Sequence, residues 1–182
     1  MRTAHRSIAV AIAAGLVLLL GACANNSLDS GSGPNVILSI SQFPIIPPVT
    51  SSYNAALGAC VFTAPPPISV TLRDSPKSTL ASAGPFTDVA IDSAVVTYVW
   101  DDDVVVGPIV ESTSGLIPAN ATQTVPLTPI LLGVLTSDRG GHTVSLEISF
   151  RGRTVDGTRI ESLPDIPGGA TVSVNSCIPP AK

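Results

Sequence analysis

HTVSLEISF, residues 142–150, decides the fold. Val144, Leu146, Ile148 and Phe150 fall on one side of an extended chain, and Thr143, Ser145, Glu147 and Ser149 on the other. A strict two-residue period is the mark of a strand with one dry face and one wet face. The stretch runs on into RGRTVDGTRIES, residues 151–162, where Asp156-Gly157 signals a tight turn. A two-residue turn would pair Thr154 with Arg159, placing Arg159 inside and Ile160 outside. A three-residue loop, Val155-Asp156-Gly157 with Gly157 left-handed, pairs Thr154 with Thr158. Gly152 then faces Ile160 on the inner side. Outside, Arg153 stands opposite Arg159 and Arg151 opposite Glu161. The second register is preferred, because a one-residue slip inverts every side chain.

Other segments repeat the pattern. NVILSIS (35–41) reads as a first strand, and FPIIPPVTS (43–51) as an edge or loop, since proline cannot donate within a sheet. ACVFT (59–63) is a short strand carrying Cys60, and ISVTLRD (68–74) alternates cleanly. DVAIDSAVVTYVW (88–100) is long and β-rich; Asp101-Asp102-Asp103 breaks it, and VVVGPIV (104–110) returns as a hairpin. ATQTVPLTPILL (121–132) is a proline-interrupted edge strand, and ATVSVNSC (170–177) closes the domain. With 17 prolines along the chain, long helices are broken before they form. The expectation is an all-β fold of about seven to nine short strands: one antiparallel β-sandwich, immunoglobulin-like in architecture.

The N-terminus is an address rather than part of that body. Arg2, His5 and Arg6 precede an uncharged apolar run from Ile8 to Leu20, too short to span a bilayer as a helix. Leu20-Gly21-Ala22-Cys23 resembles the lipobox of bacterial lipoproteins. The resemblance implies cleavage before Cys23, a diacylglycerol thioether on its sulfur and, with Ala24 following, an outer-membrane destination. The competing reading is ordinary signal cleavage after Ala24, at Ala22-Cys23-Ala24, with free secretion. Two or three acyl chains hold a protein durably where one binds reversibly. The expected organisation is a signal peptide over 1–22, a Gly- and Ser-rich tether over 23–35 and a β-sandwich over 36–182.

With Cys23 assigned to lipid, Cys60 and Cys177 remain, and a lone pair in an exported chain points to a disulfide. Closing a loop of about 118 residues is worth roughly 4–5 kcal/mol on the chain-entropy estimate. Removing the leader leaves seven Lys plus Arg against thirteen Asp plus Glu. That acidic balance shows no footprint for nucleic acid.

VTLRDSPKSTLASAGPFTDVAIDSAVVTYVWDD, IPANATQTVPL and VSLEISFRGRTVDGTRIES together resemble a group of uncharacterised bacterial lipoproteins over about residues 60–175. The shared features are a strand ending in Pro-Lys, a Phe-x-Asp-Val lead-in to a long strand, an IPA stretch and a late F-x-G-x-x-x-x-G hairpin. The resemblance implies a sandwich and carries no activity or site residues with it.

Chemistry is thinly signalled. Asp101, Asp102 and Asp103, with Asp88 or Glu111, are weak candidates for calcium, which takes six to eight oxygens; three consecutive aspartates cannot all face one ion. Arg151, Arg153 and Arg159 form a basic cluster able to dock phosphate, lipopolysaccharide or an acidic glycan. Tyr98 and Trp100 suit a core end better than a sugar platform. Asp29-Ser30-Gly31 lies in the tether with no second copy. His142 is the one histidine left for a triad, and no G-x-S-x-G, P-loop or H-E-x-x-H occurs. The function expected is non-catalytic and without cofactor. It is a lipid-anchored envelope module, held at the membrane through Cys23, with an envelope protein or a glycan as partner. A glycan- or calcium-binding module is the alternative, and a hydrolase a more distant one.

Overall fold

The computed structural model describes residues 36–77, 87–164, 166 and 169–177. The expected signal peptide (1–22) and tether (23–35), with Cys23 and the Asp29-Ser30-Gly31 stretch, lie outside the described residues. The described chain forms ten strands: β1 (Val36–Gln42), β2 (Thr50–Asn54), β3 (Ala59–Thr63), β4 (Ile68–Pro76), β5 (Val89–Trp100), β6 (Val105–Ile117), β7 (Thr122–Leu127), β8 (Thr143–Thr154), β9 (Arg159–Glu161) and β10 (Thr171–Ser173). Single 3-10 turns occupy Leu132–Val134 and Ser137–Arg139.

One sheet has the order β1-β4-β7; the larger runs β10-β8-β5-β6, with β9 also on β8, and β2-β3 is a separate hairpin. All these pairings are antiparallel. Leu38, Ile40, Val70, Leu72, Val125 and Leu127 from the first sheet meet Ile91, Val96, Tyr98, Leu146, Ile148 and Phe150 from the second in one core. Two sheets around one core make a β-sandwich. Each fully buried side chain of this size contributes about 1.5–3 kcal/mol.

Strand β8 alternates without a fault over its 12 residues. Its partner β5 does not. Val89 and Ile91 point inward, then Ala94, Val96, Tyr98 and Trp100 do. Against β8, the register shift between Ile91 and Ser93 leaves Asp92 as the extra residue of a β-bulge that reverses the inward parity.

The sandwich is closed along one side by β6. Its Thr113 hydroxyl donates to the Pro126 carbonyl at 2.6 Å, and Glu111 Oε1 accepts from the Thr128 N–H at 3.0 Å. These bonds engage the outer edge of β7, the proline-bearing edge strand the sequence implied.

Cys60 and Cys177 are bonded, with Cα atoms 6.0 Å apart. The bridge ties the β2-β3 hairpin to the C-terminal segment. That segment is itself held by a parallel bridge between Val174 and Val49 and by the Val174 N–H to the His142 carbonyl, 2.9 Å. The ten strands among the described residues exceed the seven to nine expected, chiefly because Thr50–Asn54 forms β2, reaching past the proline-rich edge or loop of 43–51. The hairpin partner across from β3 supplies the pairing that its polar TSSYN sequence does not advertise.

Asp74 breaks the inner pattern of β4. It follows Val70 and Leu72 on the core face, is 0% exposed, and neither carboxyl oxygen has a hydrogen-bond partner. Burial, then the charge of Asp88, push its pKa up to about 6, while the Asn120 backbone, outside hydrogen-bonding geometry, pulls the other way. The folded chain thus binds this proton more tightly than the unfolded chain. The contribution of Asp74 to stability is fullest below about pH 4, falls as pH rises towards 6, and above that becomes a penalty of about 3 kcal/mol. We expect Asp74→Asn to match the parent near pH 4 and to exceed it by up to that amount at pH 7. Urea unfolding across this range checks it; a parent-to-variant difference that stays constant with pH would refute the assignment.

Candidate functional site

The hairpin β8-β9 adopts the register with Arg151 opposite Glu161, Gly152 opposite Ile160 and Arg153 opposite Arg159. Gly157 is left-handed, at φ +89°. Its N–H donates to the Thr154 carbonyl at 2.8 Å, and the Thr154 N–H to the Thr158 carbonyl at 3.0 Å. Asp156 fixes the loop by accepting from the Thr154 hydroxyl and from the Thr158 N–H. These bonds hold its carboxyl below the usual aspartate range, the Thr154 contact first.

Hydrogen-bonded and non-hydrogen-bonded pairs alternate along an antiparallel ladder. Thr154–Thr158 is bonded, and so is Phe150–Ser162, through the Ser162 N–H to the Phe150 carbonyl at 2.9 Å. Arg153–Arg159 and Arg151–Glu161 therefore occupy the closer, non-hydrogen-bonded class. Arg151 Nε meets Glu161 Oε1 at 3.1 Å, and the Ser149 hydroxyl donates to the same oxygen at 2.7 Å. Arg153 and Arg159 have no acid partner among the described residues.

These side chains line a concavity of about 520 Å³ with Asp92 at its border. Gly152 and Ile160 form its floor, Ile160 being only 7% exposed. The β5 bulge sets Asp92 beside the arginines, and Ala90 opposite Arg153 leaves the wall low. The sequence pointed to the three arginines; it missed Asp92, whose signal is the switch of apolar parity from Ile91 to Ala94. Gly152 has no alternative. A Cβ there would collide with the Ala90 carbonyl oxygen and lie 3.1 Å from the Ile91 Cα.

The acidic run is spent on the protein itself. Asp101 Oδ1 lies 2.6 Å from His142 Nδ1, and its other oxygen accepts from the Thr143 N–H at 2.9 Å. The His142 bond, then that of Thr143, holds the Asp101 carboxyl below its usual range. Asp102 takes two hydrogen bonds from Arg139 Nη1, at 3.0 and 2.8 Å. Arg139 lies over the Trp100 ring, 4.9 Å from its centroid. Asp103 is the left-handed residue of the β5-β6 turn, at φ 63°. Asp88 accepts from the Ala119 N–H at 2.8 Å and Glu111 from that of Thr128. Four of the five acids of the weak calcium proposal therefore serve different partners, and Asp103 serves the turn through its backbone. Single ligand atoms of Asp101, Asp102 and His142 do lie within 4.8 Å of one another. An arginine already neutralises Asp102 there, which disfavours a second cation.

His142 Nδ1 meets Asp101 as the base of a hydrolytic triad would meet its orienting acid. No serine, threonine or cysteine hydrogen-bonds the other ring nitrogen among the described residues, so the nucleophile half is not assembled. Tyr98 and Trp100 are 0% and 1% exposed, core residues rather than a sugar platform.

No protein-family model matches the chain, and no curated protein matches it. The candidate site is the groove between the β5 bulge and the β8-β9 hairpin. Its floor is the part most open to test: Gly152→Ala is expected to cost roughly 1–3 kcal/mol, as overpacking against a backbone atom does. Urea denaturation measures this, and a loss below about 0.5 kcal/mol would mean that β5 and β8 do not approach as closely here.

Proposed function

We propose that this chain is an exported, non-catalytic, lipid-anchored module of the cell envelope whose immunoglobulin-like sandwich holds out a binding surface. The observation that carries this is the Cys60–Cys177 disulfide, since such bonds persist outside the reducing cytosol. It agrees with a leader over 1–22 that runs into the lipobox-like Leu20-Gly21-Ala22-Cys23, and Ala24 after the cysteine, read by the likeness to bacterial lipoproteins, points to the outer membrane. Pairing of strands distant in sequence, β1 with β4 and β5 with β8, supports the immunoglobulin-like comparison.

The surface on offer is the outer face of the larger sheet. Val105, Val110 and Leu116 stand exposed on its edge strand β6, opposite Val99, Val95 and Ala90 of β5. That apolar strip suits an envelope protein. A second reading, a glycan-binding module, is favoured by the arginine groove on the same face.

Expression of the full chain in a Gram-negative host, followed by mass analysis of the purified N-terminal fragment, tests the anchor. The parent is expected to begin at Cys23 with acyl mass on that residue, and Cys23→Ala to leave the membrane fraction. A parent protein beginning at Asn25, without acyl mass, would establish free secretion instead.

A further inference from the structure

We propose that the groove between the β5 bulge and the β8-β9 hairpin binds an acidic saccharide, a deepening that rests on the glycan-binding reading above. Arg153 and Arg159 clamp an oxyanion substituent of the sugar, and Asp92 and Glu161 accept from its hydroxyls.

The two arginines impose a local cost. Like charges directly opposite on adjacent strands repel, and the non-hydrogen-bonded class brings them closest. Arg153 and Arg159 occupy that class with no acid between them. Glu161, the nearest carboxylate by register, is already engaged by Arg151 and Ser149 through Oε1. An anion seated between two guanidiniums turns the repulsion into paired, charge-assisted hydrogen bonds.

The acids at the border say which anion. Asp92 uses Oδ1 for the Ser93 hydroxyl and Glu161 uses Oε1, so each keeps one oxygen without a protein partner among the described residues. Carboxylates beside the arginines repel a densely charged polyphosphate, as does the acidic balance of the body. They suit a ligand that carries one oxyanion among many hydroxyls. A peptide strand has little to hold here, because the backbone of β8 beside the groove is already paired with β5 and β9. The concavity, about 520 Å³, falls within the usual range for small ligands.

The test uses the purified full-length protein in zwitterionic micelles, or free in buffer if its N-terminus proves unlipidated, so a failed anchor and a failed groove are told apart. The probes are a galacturonate trisaccharide, the neutral galactose trisaccharide and inorganic phosphate, each titrated at fixed ionic strength with amide chemical shifts as readout. We expect saturable shifts at residues 151–153 and 159–161 with the uronate. Binding should be at least tenfold weaker with either control. It should fall at least tenfold in Arg153→Gln/Arg159→Gln and hold in Arg73→Gln, on the other sheet. The double variant should melt no lower than the parent, since it relieves repulsion. Absence of shifts with the uronate, equal binding of phosphate, unchanged binding by the double variant, or a lower melting temperature for it would each overturn the proposal.

Discussion

Side chains on a strand alternate, so a single-residue slip of β9 along β8 would carry Ile160 out of the core and Arg159 into it. The chain prevents this with one loop. Gly157 takes the left-handed conformation, Asp156 ties Thr154 to Thr158, and the ladder starts in one register only. From that register follow the dry row Val144, Leu146, Ile148 and Phe150, and the wet row that ends in Arg151 and Arg153. The groove is a by-product of the same constraint, since two arginines face each other only because Gly152 faces Ile160 behind them.

Two further devices fit the rest of the body to β8. The bulge at Asp92 allows β5 to present Val89 and Ile91 and then Ala94 to Trp100 to the same core. The disulfide joins the β2-β3 hairpin to the C-terminal segment, beside the Val49–Val174 bridge. In the chain-entropy model, closing so long a loop acts chiefly on the unfolded chain. Packing therefore specifies the sandwich, and the sulfur bridge holds its first hairpin and its end together.

Much of this was legible in the sequence because strand periodicity and turn chemistry are local. The β8 alternation, the three-residue loop and the arginine pairing could be derived from 21 consecutive residues. The pairing of Cys60 with Cys177 followed from the cysteines left once Cys23 was set aside. What escaped was decided between distant segments. TSSYN becomes β2 only because β3 folds back on it. The bulge was visible as two adjacent polar residues, Asp92 and Ser93, between apolar runs of opposite parity, but a strand that long reads as uniformly β-rich. Asp74 continues an alternation of apolar residues into a buried position, and nothing local tells that its carboxyl lies unpaired. The meeting of His142 with Asp101, and of Arg139 with Asp102 and Trp100, likewise depends on the loop after β7 returning to the β5-β6 turn.

The central claim is the register of the β8-β9 hairpin, and cross-strand proton contacts read it directly. In a non-hydrogen-bonded antiparallel pair the two Hα atoms face each other at close range. Nuclear Overhauser spectra are predicted to show strong Hα–Hα cross-peaks from Arg153 to Arg159 and from Arg151 to Glu161. Cross-peaks from Thr154 to Arg159 and from Gly152 to Glu161 in their place would mean the two-residue turn, and would contradict both the buried face and the arginine groove.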